Sequence, residues 1–506
     1  MPQLQGPACP GADGVAESAG TPLSLTSELF SVPLEEDRFL IYAPLWRSAF
    51  IGNGGVARRI QSLQDGGRLD RPDPWLANLI QLLAALGMIN QGPETLPVVH
   101  CEGEPQPVSV TLFLTNSCNL RCRYCYASSG EFAPKFMTLA TARNGIDFVF
   151  KNAAARNVGS VHVGYHGGGE PAVNWAVLTA STQYARECAA RQAVGLNVSL
   201  ATNGVLSDQQ IDWIVGNVNG ATISFDGLPI VHDRNRVTVA GGPTSERVMH
   251  TMRRLDEAGF SYGIRATVLA DQIERLSDSV EFICSSFRAR NVQVEPVYLL
   301  GRGGGAEPAD TSAFVEAFRS ARTRAEKYGR ELLFSGVRVD SLTNHFCSAT
   351  ADSFCLTPDG NVTSCFEAFS EDAPLASMFF YGRPGAVPAT FEFDREALSK
   401  LRALSVENRD FCRECFARWT CAGDCLYKVF TVSGGGEPNG AGRCGIIREL
   451  TKDLILKKVA DSGGLAWRGG NCVPSPCSRA QSSLPGAFEP ISWAAPLTSE
   501  KEGLQP

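Results

Sequence analysis

Between residues 106 and 336, apolar runs with a two-residue period alternate with stretches whose apolar positions recur every three or four residues. Period two marks strands and a period near 3.6 marks helices. The runs at 108–115, 160–166, 196–202, 220–226, 262–269 and 291–299 predict six strands. The stretches 139–156, 173–193, 244–258 and 312–328 predict helices between or after them. Repeated strand–helix units give a parallel sheet with right-handed crossovers. Six units are too few for a closed eight-fold barrel, so the expected fold class is α/β with a partial (β/α)6 barrel.

Upstream, Arg38–Leu45 and Ser48–Gly52 predict two short strands. Val56, Ile60 and Leu63 then recur at helical spacing, as do Leu79, Leu82, Leu83 and Leu86, with Gly87 as C-cap. Two strands followed by helices over 24–92 predict a small winged-helix-like domain. Residues 1–23, rich in Gly, Pro, Ala and Ser, predict disorder. Residues 462–506 predict a flexible tail.

At 506 residues, with 44% hydrophobic and 20% charged positions, the chain supports two or three domains around sizeable cores. A net charge of −7 without a basic block excludes a nucleic-acid binder. The N-terminus has no charged region leading an apolar one, and no run of eighteen apolar residues occurs. A signal peptide and a membrane span are therefore unsupported, and a cytoplasmic location is expected. Seventeen cysteines without an export signal point to metal or redox use rather than disulfides.

Three of them, Cys118, Cys122 and Cys125, are spaced C-x3-C-x2-C on the loop leaving the first barrel strand. Barrel enzymes place their chemistry at that end. A closed zinc site takes four ligands, so three thiolates leave one position for a reactant. The alternative is a zinc knuckle. The triplet, with Tyr124 before its last cysteine, resembles the radical S-adenosylmethionine (radical SAM) superfamily. The resemblance implies a [4Fe-4S] cluster held by three cysteines, whose free iron chelates S-adenosylmethionine. One electron then cleaves the sulfonium to a 5′-deoxyadenosyl radical.

Further matches follow the next strands in order. His166-Gly-Gly-Gly-Glu170-Pro171 resembles the family's Gly-Gly-Glu-Pro turn, which implies that Gly168 and Glu170 meet the ligand's amino group. A carboxylate suits that ammonium. Thr202-Asn203-Gly204 resembles a further ligand-side motif. Ser224 and Arg236, twelve residues apart, match a serine and arginine placed around the ribose and carboxylate. Glu295, after the sixth strand, is a candidate for the cavity wall.

Eight more cysteines lie within 345–450: Cys347, Cys355, Cys365, Cys412, Cys415, Cys421, Cys425 and Cys444. Pro358-Asp359-Gly360-Asn361 is turn chemistry, so Cys355 and Cys365 flank a hairpin. Eight thiolates make two tetrads, which zinc would also accept. The pattern closely resembles the SPASM extension, which implies two auxiliary [4Fe-4S] clusters and three in all. Carried over by position, Cys347, Cys355, Cys365 and Cys425 hold one, and Cys412, Cys415, Cys421 and Cys444 the other. Cys188 and Cys284 fall in apolar helical stretches and are expected to be buried. Cys9, Cys472 and Cys477 lie in the polar ends.

The combined resemblance implies an oxidoreductase that removes hydrogen from a residue of a ribosomally made precursor peptide. Oxidative bond formation follows, giving a cross-link or a ring such as a cyclopropane. The N-terminal domain resembles a PqqD-like RiPP recognition element, which captures a leader peptide as an added strand; a structural cap on the barrel is the other reading of it. An electron donor such as flavodoxin or ferredoxin is implied. Glu367 and Glu295 are the candidates for a catalytic base. Two alternatives stand beside this reading. One is an anaerobic sulfatase-maturating, formylglycine-forming enzyme, although Phe366 occupies the place of that family's aspartate. The other is a zinc-dependent peptide-binding protein.

Overall fold

The computed structural model describes residues 24–66, 74–89, 94–432 and 442–469. The stretch expected to be disordered, 1–23, and Cys9, Cys472 and Cys477 lie outside the described residues. The chain divides into two compact units, one running to Leu96 and including a stretch from Leu456, the other spanning Pro97–Ile455.

In the first unit β1 (Phe30–Pro33), β2 (Arg38–Ala43) and β3 (Ser48–Asn53) form an antiparallel sheet. Two helices follow, α1 (Gly54–Gln64) and α2 (Pro74–Ala85). Asn53 starts α1 by accepting a hydrogen bond from the Val56 amide at 3.1 Å. Ile41 and Phe50 from the sheet, Ile60 from α1 and Leu79 and Leu83 from α2 share one core. The expected tail, 462–506, begins differently from prediction. Ala466–Arg468 is a strand, antiparallel to β3 on its outer edge, and Trp467 is buried on it. Three residues are too few to show a period, so the pattern could not reveal this strand. The rest of that tail, from 470, lies outside the described residues.

The second unit carries the expected barrel. β4 (Ser109–Phe113), β5 (Ser160–His166), β6 (Gly195–Thr202), β7 (Gly220–Ser224), β8 (Tyr262–Val268) and β9 (Asn291–Pro296) lie side by side, all parallel. The helices between and after them are α3 (Leu139–Ala155), α4 (Trp175–Gln192), α5 (Asp208–Asn217), α6 (Pro229–Asn235), α7 (Ser245–Glu257), α8 (Leu276–Ser286) and α9 (Thr311–Lys327). Their starts follow from capping chemistry. Thr138 accepts from the Thr141 amide, Ser207 and Gln210 form a capping box, and Asp310 accepts from the Ala313 amide. Val110, Leu112, Val163, Leu200, Ile223, Ile264 and Val294 are sealed from solvent in the shared core.

The sheet exceeds six strands at both edges. β10 (Glu331–Leu333) adds in parallel to β9. On the other side β11 (Cys355–Leu356) runs parallel to β4. β12 (Val362–Thr363), β13 (Phe380–Pro384) and β14 (Phe391–Phe393) continue it antiparallel, making eleven strands. The cysteine hairpin is thus an extension of the barrel sheet, next to the strand that leads into the cysteine triplet. Gly145 on α3 permits this, because a Cβ there would stand 2.3 Å from Leu356 Cδ1. The remaining helices are α10 (Ala376–Phe379), α11 (Arg395–Arg402), α12 (Arg418–Cys421), α13 (Leu426–Val432) and α14 (Cys444–Asp461).

Cys188 and Cys284 are buried, and Cys101 is disulfide-bonded, which departs from the expectation that disulfides are not used. Among the described residues no helix is long and apolar enough to cross a membrane.

His232 on α6 gives the barrel an acid limit. Its ring is fully buried, Nδ1 accepts from the Asp226 amide at 3.3 Å, and Nε2 meets Thr244 Oγ1 at 3.0 Å. The Thr244 hydroxyl donates to the Arg236 carbonyl, so it accepts from Nε2–H, and the ring is held neutral. Burial lowers its pKa to about 4. A lowered histidine pKa contributes stability that is full above about 6.5 and lost as pH falls through about 4. The loss amounts to ~3 kcal/mol. Urea midpoints measured from pH 7 to pH 4 should fall accordingly, and His232→Gln should flatten that dependence.

Candidate functional site

The loop after β4 carries Cys118, Cys122 and Cys125 and is laced to the barrel by its backbone. The Arg121 amide donates to Val237 O at 2.7 Å and the Arg123 amide to Asn235 O at 2.9 Å. Arg302 donates to Cys122 O at 2.9 Å and Ser129 O at 3.1 Å. Gly169 lets the loop after β5 lie against it, because a Cβ there would stand 2.2 Å from Ser117 O. These constraints turn the three cysteines toward a cavity of about 290 Å³.

Tyr124, Gly168, Glu170, Asn203, Ser224 and Arg236, all singled out from the sequence, line the same cavity. Three of them are tied by other partners. Asp226 organises one side: it accepts from Tyr124 Oη, pairs with Arg236 Nε at 3.2 Å and accepts from the Thr267 amide at 3.1 Å. Arg236 also lies over the Tyr124 ring, 5.2 Å from its centre. Asn203 Nδ2 donates to Asn119 Oδ1 at 2.7 Å and stands 3.7 Å from Cys118 Sγ.

Glu170 is buried, and its carboxylate accepts from the Ala172 amide, Thr202 Oγ1 and the Asn203 amide at 2.7–3.1 Å. It therefore ties the loops after β5 and β6 together. It belongs to none of the described ion pairs that border the cavity, which use Asp226, Glu295, Glu367 and Asp424. Burial raises its pKa. A buried carboxylate without a cation favours one that arrives with a ligand.

Burial pushes the Cys118 thiol up to about 12, helped by Glu170, and the Cys122 thiol up to about 11. Alone, such thiols stay protonated at neutral pH; a bound metal centre is what would hold them as thiolates. Zinc draws its thiolates to about 2.3 Å from one ion. Among the described residues no group of three His, Cys, Asp or Glu side chains is gathered for a single ion. The cysteines border cavities.

Cys347, Cys365 and Cys425 also line the large cavity. Cys355 is fully buried and packs with Phe113, Ala127 and Phe369 beside Cys125. Cys412, Cys415, Cys421 and Cys444 all line a second, smaller cavity. Burial raises Cys355 and Cys425 to about 12 and Cys412 to about 11.

The two candidate bases differ in their surroundings. Glu295 accepts from Arg443, from Gln293 Nε2 at 3.0 Å, from the Ser335 amide at 2.8 Å and from Tyr298 Oη at 3.3 Å. Burial would raise its pKa, but Arg443 and Arg265 hold it down at about 2. A carboxylate so engaged is a poor proton acceptor. Glu367 Oε1 pairs with Lys428 Nζ at 3.0 Å, and its buried Oε2 makes no hydrogen bond.

Lys428, Arg265, His166 and Tyr298 also line the cavity and were not foreseen as site residues. Lys428 stands 3.1 Å above the Tyr298 ring, and His166 stacks on Phe366 at 4.6 Å. Lys428 was findable: it lies one helical turn beyond Cys425.

Residues 112–283 match the family model described as the radical SAM superfamily. The sporulation killing factor maturation protein SkfB of Bacillus subtilis (strain 168) is 29% identical over 282 residues, 54% of this chain and 62% of that protein. A second relative, the uncharacterized protein MJ0907 of Methanocaldococcus jannaschii, is 28% identical over 177 residues, 34% of this chain and 57% of that protein. The chain thus spans about six-tenths of the length of the curated relatives it matches. The solved structure of native anSMEcpe with bound AdoMet superposes with a TM-score of 0.56 at 14% identity. The match covers 71% of this chain and all of that one, and shows a common fold.

Proposed function

From residues 112–283, which match the radical SAM family model, we propose that this protein is a radical SAM enzyme that modifies a ribosomally made peptide. The observation that carries the reading is one cavity lined by Cys118, Cys122 and Cys125 and by Cys347, Cys365 and Cys425, with a buried carboxylate, Glu170, that belongs to none of the described ion pairs. Cys118, Cys122 and Cys125 hold a [4Fe-4S] cluster in this reading. Cys347, Cys355, Cys365 and Cys425 hold a second, and Cys412, Cys415, Cys421 and Cys444 a third. When bound, the cluster and S-adenosylmethionine supply one-electron cleavage and removal of a hydrogen atom from the peptide.

The chain's own residues bind, orient and exclude water. Glu170 receives the ammonium of S-adenosylmethionine while the loops it ties carry Asn203 to the same ligand. Arg236, aimed by Asp226, and Ser224 stand on the side expected for ribose and carboxylate. His166, Phe366 and Tyr298 form an aromatic wall against solvent. Of the two carboxylates, Glu367 keeps an oxygen open and is the one placed to accept a proton during bond formation. The maturation role carried in the name of the 29% identical relative supports a peptide substrate. The N-terminal unit is the reading's leader-capturing domain, and the free outer edge of β1 supports that.

The test is anaerobic turnover with dithionite, S-adenosylmethionine and the peptide encoded by a short reading frame beside the gene. Formation of 5′-deoxyadenosine with a matching loss of hydrogen from the peptide is expected. A sulfatase-derived cysteine peptide converted to formylglycine would favour the sulfatase-maturating alternative.

A further inference from the structure

Beside the smaller cavity stands a buried cation that belongs to none of the described ion pairs, while Asp424, on the same cavity, is paired with Arg443. Arg409 is buried, and it lines that cavity together with Cys412, Cys415, Cys421 and Cys444. Its donors go to backbone carbonyls: Leu404 O at 3.1 and 2.8 Å and Gly423 O at 2.6 Å. The described ion pairs of the neighbouring arginines, Arg402–Asp352 and Arg413–Asp410, leave it out. The first tetrad is different. There Lys428 is matched by Glu367 at 3.0 Å.

A buried, uncompensated cation is costly and is kept where an anion will meet it. Four thiolates around an iron–sulfur cluster carry net negative charge, and each added electron makes the charge larger. A fixed cation at close range therefore favours the reduced form. We propose that Arg409 supplies the counter-charge of the cluster held by Cys412, Cys415, Cys421 and Cys444, and sets its reduction potential above that of the other auxiliary cluster. This rests on the reading that both tetrads hold iron–sulfur clusters. The polar contacts that fix the guanidinium are all to backbone, so its position follows from the fold rather than from the cluster.

The experiment is a potentiometric titration of the anaerobically reconstituted full chain. Dithionite supplies one electron per cluster, and electron paramagnetic resonance reads each step. Three variants are compared: Arg409→Gln, Arg409→Met and the charge-keeping Arg409→Lys. In the neutral variants one auxiliary midpoint should move to more negative potential, with the other two unmoved, while the lysine variant stays near wild type. Unchanged midpoints in iron-replete neutral variants, or equal shifts of both auxiliary steps, would overturn the proposal. Loss of about four irons from both neutral variants, with the lysine variant retaining them, supports the same role for the charge. Loss from all three would overturn it. Wild-type protein lacking iron at this tetrad would instead refute the cluster assignment on which the proposal rests.

Discussion

Cys122→Ala is expected to abolish S-adenosylmethionine cleavage to background while leaving both auxiliary clusters in place. The triplet loop is held by backbone bonds to Val237, Asn235 and Arg302, none of which uses the Cys122 side chain. The loop should keep its course when the sulfur is removed. What is lost is one of three ligands to a centre that already leaves one position for a reactant, and the two cysteines that remain cannot hold such a centre alone. Iron content should fall from about twelve to about eight per chain. Anaerobic iron analysis and chromatography of 5′-deoxyadenosine check both halves. The auxiliary absorbance should persist, because the ligands proposed for those clusters do not include Cys122.

The second large effect is expected at Arg443→Met. Arg443 is buried between Glu295 at the end of β9 and Asp424, which precedes Cys425; Arg443 itself precedes Cys444. One guanidinium therefore joins the barrel wall to the last cysteine of each tetrad, with the rings of Tyr298 and Phe334 4.9 and 5.0 Å away. Removing it takes the ion-pair partner from two buried carboxylates, a loss of about 3–5 kcal/mol. Urea unfolding should show that loss, and both auxiliary clusters should become easier to extract with a chelator. Arg443→Lys should recover part of the stability, since it restores the charge but not the two-pronged contact with Asp424. Below pH 4.5 the difference between variant and wild type should narrow. The contribution of Glu295 is full above its unfolded pKa and is lost as pH falls through about 2.

The six barrel strands were legible because each is an apolar run, most of them closed by Gly, Pro or Asn. Val110 and Leu112, or Val292 and Val294, alternate as a sheet requires. β10 and Ala466–Arg468 were not, because three residues carry no period. The tetrads were legible as spacing. Why the hairpin extends the barrel sheet was not, because it depends on Gly145 lying 211 positions before Leu356 and meeting it in space. The buried charges were the least legible. Glu295 and Arg443 lie 148 residues apart, and either one alone reads as a solvated side chain. Glu170 lines the cavity, but its hydrogen bonds with the Thr202 hydroxyl and the Asn203 amide are tertiary facts.

One preparation decides most. Anaerobically reconstituted protein is analysed for iron and zinc, reduced, and its paramagnetic spectrum recorded with and without S-adenosylmethionine. Iron near twelve per chain is predicted, with one signal altered by S-adenosylmethionine and absent in Cys122→Ala. Zinc in place of iron, or a spectrum indifferent to S-adenosylmethionine, would contradict the assignment of an open iron site to Cys118, Cys122 and Cys125.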